Sequence, residues 1–541
     1  MTYQRFLDEA HVYWCGQLAA PHADQVVLAE VGHPDPRVLL RVLTLANAVR
    51  RLHPARLVLL AGADGEPPEL GPLAAAYAAD EIVDIAGRTE RRVTALAARA
   101  AGGGPPDAAH ALTPYVDTGH RRRTRGPLTA RRRTAPEYRL AGLRARARAA
   151  VYEDVLAVGR PVALVAADTT DDGAGLAVRA ARRAHVPVLA VQPRGGLRAY
   201  CLFPGHSPPD APFADALEPL LAEYFAGRVW ARRAELAPAA EHTAWRARRG
   251  LGRPAGLLPD AVELATAAQR RQVRAHVAAR YGLDPARPTV VVGHRPVTEA
   301  PTGPAAEVAD WYARTAAHAR DLPAANWLLL DHPAQDDRTG SVAALAAAHA
   351  GADHLRFLPG RALSRNALLA LADLGVVLHG RLGPTLAGYG VPVLAAGRGP
   401  WTGCGLALPA ADVADPGGLL GECVAALRAG RSPLPPDAVA RARLWRWLAD
   451  AGGDVASGLV PPYELWPAEH LLRALTAHLR HVEPDAEPVF AAVERAFTQR
   501  LPLLTRVDLP GGPEPARRPA PAAVPHSRAD ADAPAAPAVA E

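Results

Sequence analysis

Short aliphatic runs alternate along this chain with longer stretches whose apolar positions recur every three to four residues, a pattern that predicts strands and amphipathic helices in turn. In the first part of the chain, Gln25–Val31, Ala55–Ala61, Glu81–Ala86, Pro161–Ala167 and Val186–Val191 read as strands. Asp35–Leu52, Glu90–Ala101, Glu137–Ala157 and Gly173–His185 read as the helices between them. A second alternating block carries strand patterns at Thr289–His294, Asn326–Leu330, Leu374–Leu378 and Val391–Ala396, then helices at Leu419–Ala429 and Pro436–Ala451. Asn326–Leu330 in particular is a short, nearly continuous apolar run rather than one apolar at every second residue, as strands covered on both faces of a parallel sheet require. The fold class is therefore α/β, with two Rossmann-like doubly wound domains at residues 1–210 and 286–452. Residues 211–285 have a helical pattern broken at Pro238 and at Gly250–Pro259 and read as a helical bridge, and residues 453–508 carry further helices. Residues 509–541 are rich in Pro, Ala, Asp and Arg with few large apolar groups, which predicts a disordered tail.

Open parallel sheets bind ligands beyond the carboxyl ends of their strands, so candidate chemistry is sought in the turns that follow strands. In the first domain these turns hold Gly32-His33 and the run Asp168-Thr169-Thr170-Asp171-Asp172-Gly173. In the second they hold Gly293-His294-Arg295, then His332-Pro333 after Asp331, then His379-Gly380-Arg381-Leu382-Gly383-Pro384-Thr385. Glycine allows close approach of backbone N–H groups to a ligand, and a helix starting near Gly383, with Pro384 in its first turn, would present free N–H donors to a diphosphate. Simpler readings stand beside these. Asp168–Asp172 are good caps for the helix that follows, the glycines near Gly383 suit tight packing, and His332-Pro333 can end a strand without meeting a ligand. The arginine stretch from Arg121 to Arg133 reads as a solvated or mobile loop. Cys404, between two glycines, reads as a buried small residue.

The segment Ser364–Asp373, the strand after it, His379-Gly380 and then Gly390-Val391-Pro392, together with His332-Pro333, resembles the C-terminal half of GT-B glycosyltransferases, most closely capsule polysaccharide biosynthesis transferases. The likeness covers most of residues 286–430. Arg381 stands where that family has a threonine after the glycine, Thr385 where it has a helix glutamate, and Leu330 where a lysine is often found. The resemblance implies two domains facing a cleft, with an acceptor-binding N-terminal domain and a nucleotide-sugar-binding C-terminal one. It implies inverting, metal-independent transfer of a sugar from a nucleotide-activated donor to a glycan or glycolipid acceptor, with the nucleotide sugar as co-substrate and no other cofactor. The Asp-Asp-Gly triplet followed by a later His-Pro pair is also similar to bacterial sialyltransferases of GT-B shape. That likeness implies Asp171 as the base and His332 as the phosphate contact; Asp168, in the same turn, is a further catalytic candidate. Gly32, His33 and Asp172 are then on the acceptor side; Gly293, His294, Arg295, Pro333, His379, Gly380, Gly383 and Thr385 are on the donor side. Two further readings keep the fold: phosphoalditol transfer, as in teichoic-acid-type polymerases, and a non-catalytic nucleotide- or partner-binding protein.

With 541 residues the chain is too long for one ordinary core, and 49% hydrophobic with 21% charged residues is globular composition. The absence of lysine removes any argument from a preference for arginine, and a net charge of +6 is ordinary at this length, so nucleic acid is not an expected partner. Cys15, Cys201, Cys404 and Cys423 are scattered without metal-ligand spacing, which predicts reduced thiols and a cytoplasmic setting. Neither a signal-peptide pattern nor a long apolar run appears, so a peripheral position on the inner membrane surface is the membrane contact the sequence allows.

Overall fold

The computed structural model describes residues 2–62, 70–100, 112–124, 128, 130–192, 195–248, 267–294, 296, 308–332, 348, 351–360, 362–378, 380–410, 416–460, 468–509 and 526–527. The chain divides into two compact units, one built mainly from Met1–Tyr224 and Leu448–Pro510, the other mainly from Phe225–Val297 and Pro301–Trp447.

In the first unit, β1 (His22–Glu30), β2 (Ala55–Ala61), β3 (Glu81–Asp84), β4 (Arg160–Ala166), β5 (Val188–Val191) and β6 (Ala199–Leu202) form one sheet in the order β3-β2-β1-β4-β5-β6. All neighbours are parallel except β5 and β6. Val27, Leu57, Leu59, Ala163, Val165 and Leu189 are fully buried, which is why these strands read as continuous apolar runs. The helix Pro36–Leu52 covers one part of this sheet. Asp35 caps it by accepting from the Arg37 N–H, Pro36 occupies the first turn, and Arg50 and Arg51 lie in the last turn, where cations oppose the helix dipole. Arg50 is buried, and its guanidinium donates to the Ala55 and Ala78 carbonyls and to Asn47 and pairs with Asp80 at 3.3 Å. The later segment packs into the same unit: the Trp14 and Phe490 rings meet edge to face, and the Cys201 N–H donates to the Pro502 carbonyl.

In the second unit, β7 (Thr289–Gly293), β8 (Asn326–Leu330), β9 (Leu355–Leu358), β10 (Leu374–Val377), β11 (Val393–Ala395) and β12 (Leu408–Pro409) form an all-parallel sheet in the order β12-β11-β10-β7-β8-β9. Val290, Val292, Trp327 and Leu329 are fully buried. They pack with Trp311 and Tyr312 of the helix Val308–Arg320 and with Leu420 and Val424 of the helix Pro416–Arg428. Each such side chain contributes roughly 1.5–3 kcal/mol on leaving water.

Both sheets therefore have the Rossmann order, in which the first strand is flanked by the second on one side and the fourth on the other. The direction of winding reverses between β1 and β4 in one unit and between β7 and β10 in the other. The expected two-domain α/β class is what the structure has. Within residues 211–285 the described parts are helical, at Phe213–Tyr224, Arg233–Arg248 and Ala267–Tyr281. The expected disordered tail lies outside the described residues apart from Leu509 and the pair His526–Ser527, which runs antiparallel to Arg431–Ser432. One expectation is corrected. The arginines after Tyr115 are not in a loop: Arg121, Arg122 and Arg123 end the helix Thr113–Thr124, and Arg131–Arg133 lie in a short helix. Arg121, Arg122, Arg123 and Arg133 are paired with carboxylates, which the loop reading overlooked. Among the described residues no helix is long and apolar enough to cross a membrane.

Candidate active site

The first unit's reversal point is framed by the turns after β1 and β4, and both carry candidate residues. After β4 the chain turns sharply through Asp168–Gly173 and enters the helix Ala174–Arg183. Asp168 Oδ1 accepts from the Thr170 N–H and hydroxyl, at 2.7 and 2.8 Å. Asp171 Oδ1 accepts from the N–H groups of Gly173 and Gly175, at 2.9 and 3.3 Å, so it satisfies a first-turn N–H of the helix from two residues ahead of the cap position, which is Gly173. The other oxygens of both aspartates turn to one cation. Arg122 Nη1 lies 2.6 Å from Asp168 Oδ2 and 3.1 Å from Asp171 Oδ2, while its Nη2 donates to the Thr170 hydroxyl at 3.1 Å.

Arg123 grips the third carboxylate, Asp172, through two parallel bonds of 3.0 and 2.9 Å, the planar fork geometry guanidinium favours. Asp172 is buried, and Arg148 donates to its carbonyl at 2.5 Å. A Cβ on Gly119 would overlap the Asp172 carboxylate, so glycine there lets helix Thr113–Thr124 close on the turn. Asp117, one turn earlier, accepts from Arg133 at 2.8 Å and from the Tyr138 hydroxyl at 2.6 Å.

The two clamped carboxylates differ in their affinity for a proton. Burial and the neighbouring Asp168 push the Asp171 carboxyl up to about 6, from an ordinary 3.8. Asp168 is held below the usual carboxylate range, because Arg122 and the Thr170 bonds outweigh the cost of burial. A pair of carboxyls driven apart in this way leaves one ionised and one able to exchange a proton near neutrality. His33, after β1, is half-buried; its Nδ1 accepts from the Asp35 N–H at 3.0 Å, so the neutral ring carries its proton on Nε2. Burial lowers its proton affinity, partly offset by Asp35 and Asp168. Gly32 donates its N–H to the buried Glu30 at 3.0 Å, an acceptor sequence reasoning did not single out.

In the second unit, His294 follows β7 and Asp331-His332 follow β8. The His294 side chain is 1% exposed; its Nε2 stands 3.3 Å from Asp331 Oδ1, and its ring lies 4.5 Å from that of Tyr312. The same Asp331 oxygen accepts from the His332 N–H at 2.8 Å, which fixes the start of that turn. Burial and the Asp331 charge push the Tyr312 hydroxyl well above its ordinary range. On the other side of the reversal point, Gly380 has φ +106°, a conformation glycine alone adopts readily, and its carbonyl accepts from Trp401 Nε1 at 2.9 Å. The helix Leu382–Gly388 follows. A Cβ on Gly293 would meet Leu382 and one on Gly383 would meet Trp401, so both glycines serve close packing. Thr385 donates its hydroxyl to the Arg381 carbonyl at 2.8 Å.

The structure thus brings Asp168, Asp171 and Asp172 together in one turn with His33 near Asp168, and places Gly293, His294 and His332 at adjoining strand ends. Arg295, Pro333 and His379 lie outside the described residues. Arg122 and Arg123 were missed as site residues. Their spacing from the aspartates in sequence gives no local sign of pairing, and the remaining signal was the coincidence of an arginine triplet with an aspartate triplet in one domain. Among the described residues no cluster of His, Cys, Asp and Glu could hold a metal ion.

No protein-family model matches this chain, and a search of curated proteins gives no match. Among solved structures, it is similar to a UDP-GlcNAc 2-epimerase from Neisseria meningitidis bound to UDP-GlcNAc, at 11% identity over 77% of this chain and 94% of that one, with a TM-score of 0.24. It is similar to a glycosyltransferase from Rickettsia africae ESF-5 at 8% identity, covering 85% and 100% of the two chains, with a TM-score of 0.29. The wall teichoic acid polymerase TagF aligns at 10% identity over 89% of this chain and 95% of its own, with a TM-score of 0.21.

Proposed function

We propose that this chain is a glycosyltransferase that moves a sugar from a nucleotide-activated donor to a glycan or glycolipid acceptor, by inversion and without a metal, in the assembly of a surface or capsular polysaccharide. The observation that carries the reading is the Asp168–Asp171 pair on Arg122 at the reversal point of the first sheet, where one carboxyl has its affinity for a proton raised toward neutrality. The donor class, the polysaccharide setting and the metal-free course follow the sequence resemblance.

In this reading Asp171 is the general base. Its Oδ2 takes the proton from the acceptor hydroxyl as the hydroxyl oxygen forms a bond to the anomeric carbon. The bond from that carbon to the donor phosphate breaks, and its electron pair leaves with the nucleotide. The turns at the carboxyl ends of β7, β8 and β10, with His332 and the Gly380 backbone, serve the nucleotide, where fixed N–H groups stabilise developing negative charge.

A thermal-shift screen of the purified protein against nucleoside diphosphates, cytidine monophosphate and nucleotide sugars tests the nucleotide half of the proposal. One base family is expected to stabilise the protein, by about 2.7 kcal/mol at a hundredfold excess over Kd, and His332→Ala to abolish the effect. No shift with any nucleotide overturns the reading and leaves a partner-binding protein. Donor hydrolysis by the wild type, lost in Asp171→Asn, then separates enzyme from binder.

A further inference from the structure

We propose that Arg122 is a positioning residue for Asp171: its guanidinium clamps Asp168 as the permanently charged member of the pair and thereby makes Asp171 the carboxyl that gains and loses the proton. The inference rests on the reading of Asp171 as the base and adds the device that selects it.

The geometry is asymmetric in a useful way. Asp168 makes the shorter contact with Arg122, at 2.6 Å against 3.1 Å for Asp171, and its other oxygen takes two bonds from Thr170. Arg122 also holds the Thr170 hydroxyl, so guanidinium, threonine and Asp168 form a closed ring of hydrogen bonds. Asp171 stands outside this ring. One of its oxygens is spent on the Gly173 and Gly175 N–H groups, leaving Oδ2, at the longer contact, as the oxygen able to carry a proton.

Other charged groups close to the pair do not select between its members. From the helix Thr113–Thr124, Arg123 is committed to Asp172. Arg148, on the helix Pro136–Leu156, reaches the Asp172 carbonyl. His33, from the turn after β1, faces Asp168 and is biased toward its neutral form by burial. Two carboxyls this close cannot both ionise freely, and a single cation bound more tightly to one of them decides which does.

The test is a carbon-13 NMR titration of protein labelled at aspartate side-chain carboxyls, with the Asp171 signal assigned by its loss in Asp171→Asn. Arg122→Ala is expected to raise the upper titration midpoint of the pair by about one unit or more, because both carboxyls lose their cation. Arg122→Lys is expected to restore most of that shift. Asp168→Asn is expected to move the Asp171 midpoint the other way, since the like charge is gone and Arg122 turns wholly to Asp171. If the clamp selects Asp171, the upper midpoint in Arg122→Ala is shared between the Asp168 and Asp171 signals; an upper midpoint that stays on Asp171 alone, as in the wild type, overturns the proposal. Should Arg122→Ala fail to fold, Arg122→Gln set against Arg122→Lys makes the same comparison. If instead the midpoints move as expected but Asp171→Asn retains full sugar transfer, the clamp stands and the base assignment fails.

Discussion

Replacing Asp171 by asparagine separates its proton chemistry from its part in holding the helix. Asparagine keeps a carbonyl oxygen that can accept from the Gly173 and Gly175 N–H groups, so the cap survives while the charge goes. A carboxyl raised from 3.8 to about 6 binds its proton more tightly in the folded than in the unfolded chain. Folding is therefore favoured below the unfolded value, and that advantage disappears as pH rises through the folded one. The full shift corresponds to about 3 kcal/mol at 1.36 kcal/mol per unit. With 19% of the Asp171 side chain exposed, and Arg122 shared with Asp168, solvent screening brings the expected effect to about 1–3 kcal/mol. The assay is denaturant unfolding of wild type and Asp171→Asn at several pH values. From about pH 4 to about pH 7 the difference in unfolding free energy should move in the variant's favour by that amount and then level off. Asp171→Ala removes the cap as well and should lie below Asp171→Asn at every pH by about 1 kcal/mol. A difference between wild type and Asp171→Asn that is flat with pH, or that moves against the variant, refutes the raised carboxyl and with it the argument for Asp171 as a base.

Gly119→Ala drives a methyl group into the Asp172 carboxylate and should destabilise the first unit by about 1–3 kcal/mol, read as a lowered denaturant midpoint. In the second unit, Asp373 is buried, paired with Arg274 at 2.6 Å and accepting from the Thr289 N–H at 2.9 Å. Asp373→Ala leaves both donors unmet and should cost about 2–4 kcal/mol, discounted because Arg274 keeps some contact with water. Gly380→Val should be strained at φ +106° and cost about 1–3 kcal/mol, read as a lowered melting temperature of the free protein, with nucleotide stabilisation in thermal shift weakened as well. Cys201, Cys404 and Cys423 are buried, and burial pushes the Cys423 thiol up to about 11; native maleimide labelling should therefore modify the exposed Cys15 alone, and labelling of a second thiol before unfolding contradicts the packing.

What could be read in the sequence and what could not divide along one physical line. Strands β1, β2, β4, β5, β7, β8 and β10 announce themselves because burial on both faces demands unbroken apolar runs, and their turns follow because a parallel sheet puts its ligand-facing loops at the carboxyl ends. Asp168, Asp171, His33 and His332 are singled out as candidates by that rule, which uses only local pattern. The rule says nothing about which charge in the chain meets which. Arg122 meets Asp168 across 46 residues, because helix Thr113–Thr124 packs against the turn after β4, and no periodicity encodes that meeting. Composition misled further. An arginine-rich stretch in a chain without lysine looks like ordinary surface charge, yet Arg121 is 2% exposed, and Arg122 and Arg123 end on carboxylates. A long-range ion pair could have been suspected only by asking what neutralises three aspartates within five residues beside a buried strand end. That question has a general basis, since a buried carboxylate left unpaired costs several kcal/mol, so a dense acidic turn at the edge of a core implies a basic partner elsewhere in its domain. Here the partner also breaks the symmetry of the turn, and that asymmetry gives the acidic run a chemical reading beyond that of a helix cap.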